Sequence, residues 1–285
     1  MRFGLIVHLG KDIAIATAKD LLKALPGHGV EVLLDPETAD YLHLPEASFG
    51  EGDFVSKMDV AVVLGGDGAL LSAARRLAGT GLPILGVNVG HLGFLTEVEL
   101  QGMNYAFDRI LSGNYETEER MMVRAEVRRG EEGVVREFIG LNDAVISKGA
   151  FARMIRLDTY VGSSLIGTYP ADGVIVASPT GSTGYSLSAG GPIVNPAMNM
   201  LILTFICPHI LGARSFVVSP EDEVRIVLNA QNEEVMLTID GQVGFKLEDK
   251  DEVVVRSATE KTYLVKLGHR DFYEVLKTRL AEGKV

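Results

Sequence analysis

Four residues, Gly65-Gly66-Asp67-Gly68, follow the apolar run Asp59–Leu64 and precede Ala69–Ala78, a stretch of helix composition. A strand that ends in glycines and opens a helix can bring backbone N–H groups close to a ligand, because glycine has no Cβ and reaches positive φ at little cost. The helix behind it adds the partial positive charge of its N-terminus, which favours phosphate. That makes Gly65, Gly66 and Gly68 a candidate phosphate-binding loop. A carboxylate repels phosphate, so Asp67 has a use there only if it binds a metal or takes a proton from a hydroxyl nucleophile. The same tetrapeptide also reads as a tight turn with Asp67 as a helix cap. Two other nucleotide loops are absent. No GxGxxG follows the first apolar run, and Gly10-Lys11 is followed by Asp12 where a Walker A loop needs Ser or Thr.

A second candidate runs from Asp172-Gly173 through Ser178-Pro179-Thr180-Gly181-Ser182-Thr183-Gly184-Tyr185-Ser186-Leu187-Ser188 to Gly190-Gly191-Pro192. Small and hydroxylated residues cannot build a core, but they can ring a ligand with donors while the backbone comes close. Tyr185 could stack on a base. The other reading, a flexible linker, sits poorly with the ordered apolar residues on both sides, Val174–Ala177 and Ile193. A third candidate is Asn142-Asp143, whose amide and carboxylate could read a base edge and ribose hydroxyls, although such a pair is also a common turn. Asp240-Gly241-Gln242 reads as a hairpin turn. His8, His28, His43, His91, His209 and His269 show no metal-ligand spacing and are assigned structural or exposed roles.

These residues need a scaffold. The first third alternates strand and helix patterns: strands at Phe3–Val7, Val30–Leu34, Asp59–Leu64 and Pro83–Val87, helices at Ile13–Leu25 and Ala69–Ala78, with Pro36–Gly52 irregular. That order predicts an α/β domain with a Rossmann-like parallel sheet over residues 1–100. Beyond about residue 115, strand-like runs follow one another with turn residues between them, among them Val253–Arg256 and Thr262–Leu267 as two strands. A β-rich domain is expected over 101–267, and a helix within 268–285. The chain has 285 residues, with 47% hydrophobic residues and a formal charge of −11. No basic domain exists to neutralise nucleic acid or an anionic membrane. One cysteine, Cys207, excludes an intrachain disulfide and a Cys-rich zinc site. The N-terminal apolar stretch reads as a strand rather than a signal peptide, no run is long enough for a membrane span, and a cytoplasmic protein is expected.

Taken together, Leu64–Leu71, Gly86–Glu97, Leu141–Ser147, Asp172–Pro196, Cys207–Val217 and Thr238–Gln242 resemble the NAD kinase family, in the family's order. GGDG alone also occurs in phosphofructokinases and lipid kinases, but its combination with PTGST-x-YSLSAGGP is specific. The resemblance implies phosphorylation of the 2′-hydroxyl of the adenosine ribose of NAD, giving NADP, with ATP or polyphosphate as donor and a divalent metal, usually Mg²⁺. It implies an N-terminal α/β domain, a β-rich C-terminal domain, a last helix that returns to the first domain, and a homodimer or homotetramer whose neighbouring subunits help line the site. Residue by residue, Asp67 matches the catalytic base and Gly68 lies with it at the NAD site. Asn142 and Asp143 match the pair that holds adenosine. Asp172 matches an acid that contacts NAD, in some members from the adjacent subunit. Thr180, Thr183, Gly184, Tyr185, Ser186, Leu187 and Ser188 match the wall around NAD, and Arg153 and Gln242 match further contacts. No metal ligand is assigned.

Three positions depart from the family pattern: Ala69 stands where Thr usually follows GGDG, Pro170 where many members carry a basic residue two places before Asp172, and Gly184 where Ala is common. Two other readings remain on the residues alone: a GGDG-type kinase with a lipid or sugar acceptor, and a non-catalytic dinucleotide sensor. The hydroxyl-rich segment argues against a lipid, and the presence of both Asp67 and Asn142 argues against a sensor.

Overall fold

The computed structural model describes residues 1–90, 93–150, 153–230, 233–268 and 271–281, with Glu46 and Glu51 as backbone only. His91 and His269 lie outside them. The chain divides into two compact units: Met1–Glu119 with Thr262–Lys284, and Arg120–Lys261.

The first unit begins β1 (Arg2–Val7), α1 (Asp12–Ala24), β2 (Glu31–Leu34), α2 (Pro36–Leu42), α3 (Glu51–Lys57), β3 (Val60–Gly65), α4 (Asp67–Arg76), β4 (Pro83–Asn88), β5 (Val98–Glu99) and α5 (Met103–Leu111). The strands are parallel, in the order β2-β1-β3-β4, with β5 beside β4. Every residue of β3 is buried, as the uninterrupted apolar run of a doubly covered strand requires. On α1 the buried residues are Ala14, Ile15, Ala18 and Leu21, one face of a helix. They pack in one core with Phe3, Leu5, Val62, Leu64 and Leu85. Each fully buried Leu or Phe there stabilises the unit by roughly 1.5–3 kcal/mol. The segment expected to be irregular, 36–52, holds α2 and the start of α3. Pro36 opens α2 and the Asp35 carboxylate accepts from Thr38 N at 2.7 Å, an N-cap signal. Past residue 100, α5 buries Ala106, Phe107 and Ile110 in this same core, with Phe107 5.4 Å from the Phe3 ring.

The second unit contains β6 (Glu116–Arg129), which starts just before it, then β7 (Gly133–Gly140), β8 (Asp143–Lys148), β9 (Ile155–Val161), β10 (Ser164–Ala171), β11 (Gly173–Ala177), the single-turn helix α6 (Tyr185–Ser188), β12 (Leu201–Ile206), β13 (Phe216–Val218), β14 (Val224–Asn229), β15 (Val235–Ile239), β16 (Val243–Leu247) and β17 (Glu252–Lys266). One sheet runs β13-β12-β11-β8-β15-β16, antiparallel throughout. The other contains β10-β9-β14-β17, with β6 pairing β17 and β7. Both sheets contribute to one core that includes Val123, Val174, Leu203, Ile226, Leu237 and Val253.

Two expected strands, 253–256 and 262–267, are one. The polar residues Ser257 to Lys261 do not end β17, whose last part pairs with β4 in the first unit (Tyr263↔Pro83, Leu264↔Ile84). The final helix, α7 (Phe272–Ala281), also belongs to the first unit, and the Arg279 guanidinium lies 6.0 Å from the centre of the Phe94 ring.

Candidate active site

In the first unit the carboxyl ends of β1, β3 and β4 lie side by side, with Val7 opposite Leu64 and Gly65 opposite Asn88. The chain leaves β1 toward β2 on one side and returns to β3 on the other. The strand order therefore reverses between β1 and β3, the place where open α/β sheets bind ligands. The GGDG turn is at that edge. A Cβ on Gly65 would fall 2.4 Å from the Ala69 Cβ, so the turn itself requires a glycine. Gly66 is different: its backbone is extended (φ −118, ψ −167), and a Cβ there would meet nothing within 4 Å. The fold does not demand a glycine at 66. Open space above it suits a group that approaches from outside.

Asp67 is the first residue of α4, and its side chain does not cap that helix. Its carboxylate accepts instead from Phe94 N at 2.8 Å and Leu95 N at 3.1 Å, one amide per oxygen. Each oxygen keeps a second lone pair. The grip is tight, because a Cβ on Gly93 would lie 2.0–2.2 Å from the carboxylate atoms. The loop that supplies these amides is anchored in turn. Glu97, buried, accepts from Lys266 Nζ at 2.6 Å and Leu267 N at 2.8 Å. Gly68 is exposed. The sequence pointed to Asp67 without its cradle, since a single glycine in a loop gives no signal of what its missing Cβ makes room for.

In the second unit Asn142 and Asp143 are held by Asp240, whose sequence context reads only as a turn. The hairpin β15–β16 does turn at Asp240-Gly241-Gln242, and Asp240 has φ 51. From there its carboxylate accepts from Leu141 N (3.1 Å), Asn142 N (2.7 Å) and Asp143 N (3.2 Å). Gln242, exposed, is on the same hairpin turn. The 178–184 segment closes against the pair from the other side. Ser178 Oγ donates to Leu141 O, Ser178 N donates to Asn142 O, and a Cβ on Gly181 would be 2.2 Å from Asn142 O. Asn142 Oδ1 is buried and finds no donor among the described residues. A buried acceptor without a donor costs about 1–3 kcal/mol, which a ligand amino group would relieve.

Asp143 is 4% exposed. Burial, with the Asp240 carboxylate nearby, pushes its pKa up to about 7 from 3.8. The folded state therefore holds this proton more tightly than the unfolded chain, so the group's contribution to stability is greatest below about pH 4 and declines as pH rises toward about 7. A ligand hydroxyl would donate a stronger hydrogen bond to the ionised form, so binding of such a ligand is expected to have the opposite sign and to tighten as pH rises through the same value. In Asp143→Asn both dependences are expected to vanish, checked by denaturant midpoints and NAD titrations between about pH 5 and about pH 8.

The hydroxyls of the glycine-rich segment divide into two sets. Ser182 Oγ exchanges hydrogen bonds with Val194 N and O, both at 3.1 Å. Ser186, fully buried, shares one with Thr204 at 3.3 Å, and so braces the segment from behind rather than facing solvent. Thr180 is buried and accepts from Arg120 Nη1 at 3.3 Å. Thr183 and Leu187 are half-buried, Tyr185 and Ser188 are exposed, and Gly184 lies beside the Asn142 amide.

Asp172 and Arg153 do not join this cluster. Asp172 precedes β11 and pairs with Lys148 at 3.5 Å, whereas Ser178 follows β11. The five residues of β11 separate them, about 20 Å at the rise of a strand. Arg153, exposed, comes just before β9, whose Ile155 stands opposite Ala171. It lines a cleft of about 550 Å³ with Arg156, Asp158, Glu233 and Lys250. Across the β9–β10 pair Arg156 faces Pro170, so a cation stands beside the position where the family's basic residue is missing.

The comparisons with known proteins agree on one family. Residues 3–115 match the ATP-NAD kinase N-terminal domain and residues 141–267 the ATP-NAD kinase C-terminal domain. The chain belongs to the NAD kinase family. It is 46% identical over 282 residues to the NAD kinase of Moorella thermoacetica, covering 99% of this chain and 90% of that protein. It is 44% identical over 270 residues to the NAD kinase of Geotalea daltonii, covering 95% and 94%. In fold it is similar to yeast NADH kinase complexed with NADH (TM-score 0.91, 24% identity, 100% and 89% covered) and to the NAD kinase of Archaeoglobus fulgidus in complex with ATP (TM-score 0.74, 24% identity, 99% of each covered). For a member of the NAD kinase family, the parallel sheet with its GGDG turn and the β-rich unit with its Asn142-Asp143 pair are the expected parts.

Proposed function

We propose that this chain transfers a phosphoryl group from ATP or polyphosphate to the 2′-hydroxyl of the adenosine ribose of NAD, with Asp67 as the base. The observation that carries this reading is the Asp67 carboxylate, fixed by the Phe94 and Leu95 amides at the ligand-binding edge of the sheet with lone pairs to spare. A ribose hydroxyl is a weak nucleophile, and a positioned carboxylate that accepts its proton as the phosphoryl group arrives contributes about 10²–10⁴ in rate. The open glycine backbone at Gly66 suits the donor's phosphates.

Asn142, with its unmatched buried oxygen, suits the amino group of adenine. Asp143 suits the ribose hydroxyls, and Thr180, Thr183, Gly184, Tyr185, Ser186, Leu187, Ser188 and Gln242 complete the wall around NAD, Ser186 from behind. Among the described residues no three His, Cys, Asp or Glu gather as a metal-ligand set. Mg²⁺ typically rides on substrate phosphates with one or two carboxylates and several waters, and Asp67 is the carboxylate at this turn. When bound, Mg²⁺ would neutralise charge on the transferring group.

Asp172 and Arg153, about one strand length from Asn142, suit a homodimer or homotetramer in which they serve a neighbouring subunit's NAD. No helix among the described residues is long and apolar enough to cross a membrane. A cytoplasmic setting belongs to the same reading, and the lone exposed Cys207 suits a reducing compartment.

A coupled assay tests both points. Wild-type protein is expected to form NADP from NAD and ATP in the presence of Mg²⁺, and to leave diacylglycerol and fructose phosphate unphosphorylated. Asn142→Ala and Asp172→Ala chains are each expected to be nearly inactive, and mixing them should restore roughly a quarter of wild-type activity when dimers re-pair at random. No NADP from the wild type would remove the proposed reaction, and no recovery on mixing would remove the shared site.

A further inference from the structure

Lys11 is the last residue of the segment between β1 and α1, on the same sheet edge as the GGDG turn and across the strand-order reversal from it. Its ammonium reaches over the loop that follows β4: a Cβ built on Gly90 would lie 3.2 Å from Lys11 Nζ and 3.8 Å from Asn88 Oδ1. Asn88 shapes that loop, donating to Thr96 Oγ1 and accepting from Gly90 N at 2.7 Å. Three residues farther along, Gly93 lies against the Asp67 carboxylate. The loop thus carries a cation at one end and the carboxylate at the other, with at most about 11 Å of chain between the two glycines. His8 is on the same edge, its Cβ 3.4 Å from the position a Gly65 Cβ would take and its Nδ1 accepting from Gly10 N at 3.2 Å.

Other cations of this unit are engaged: Arg2 with Asp59, Arg76 with Asp35, Lys57 with Asp53 and Lys266 with Glu97. Lys11, half-buried, makes no ion pair among the described residues. Its acidic sequence neighbour, Asp12, is exposed and begins α1. In a chain of net charge −11, an ammonium left unpaired beside an open glycine turn is a place for an anion.

We propose that Lys11 binds the terminal phosphates of the phosphoryl donor, a contact shared by ATP and by inorganic polyphosphate. This rests on the kinase reading and adds a donor-side residue to it. A lysine acts here as a point charge, so arginine should substitute in part and a neutral side chain should not.

In the full-length enzyme, Lys11→Met is expected to raise KM for ATP by about 10- to 100-fold while KM for NAD stays within about twofold, and Lys11→Arg should recover most of the loss. An unchanged KM for ATP, or an equal rise in both constants, overturns the proposal. Calorimetry with tripolyphosphate separates this from the reaction itself, since it needs no turnover. Weaker binding by Lys11→Met than by wild type supports the contact even if no NADP is formed, and equal binding overturns it even if NADP is formed.

Discussion

Asp67→Asn is expected to lower the rate of NADP formation by about 10²–10⁴ while the affinity for NAD stays nearly unchanged. The substitution removes the acceptor for the hydroxyl proton and keeps the size and shape of the side chain. It also has a structural cost. Both carboxylate oxygens accept a backbone amide, from Phe94 and from Leu95. The asparagine NH₂ cannot accept, so one amide loses its partner, at about 1–3 kcal/mol. The variant should therefore melt at a somewhat lower temperature and still fold. Steady-state kinetics with a parallel thermal melt separates the two effects. Near-wild-type turnover in a folded variant removes Asp67 as the base.

Gly93→Ala tests the same carboxylate from outside. The methyl would fall 2.0–2.2 Å from its atoms, far inside contact distance. The obstacle is the end of one side chain rather than a packed backbone, so the carboxylate swings away and the fold survives. A displacement of about 1 Å at a catalytic group costs on the order of 10²-fold in rate. The expected result is a loss in kcat of that size or more, with KM for NAD little changed, although position 93 carries no chemistry of its own. An alanine variant with full activity would mean that the Asp67 position observed here is not the reactive one.

Much of this architecture could be read from residue types. The parallel strands announced themselves because a strand covered on both faces must be apolar throughout, as Val60–Gly65 is. What escaped were elements whose signal is weak for physical reasons. The seven-residue helices α2 and α3 are too short for periodicity to show. Strands β10 and β16 are only partly buried and carry Gly167, Pro170 and Gly244, so they lack the apolar alternation that marks a half-buried strand. β17 was split because its polar middle resembles a loop.

Asp67, Asn142 and Asp143 stand out as candidates because their residue types suit the proposed chemistry. The residues that hold them, Gly93 and Asp240, do not. Their roles depend on contacts between segments 26 and about 100 residues apart, which no local pattern encodes. The position of Asp172 a full strand away from Asn142 was equally beyond spacing arguments, because only pairing register shows that the two occupy opposite ends of the sheet.

Ser178, Ser182 and Ser186 recur every four residues, and each spends its hydroxyl inside the protein, on Leu141, Val194 and Thr204. By composition the stretch looks like a loose linker, yet it is stitched down at regular intervals before any ligand arrives. The entropy of fixing it is met during folding. A molecule that docks on its outward side does not have to freeze a wandering loop, and more of the contact energy survives as affinity.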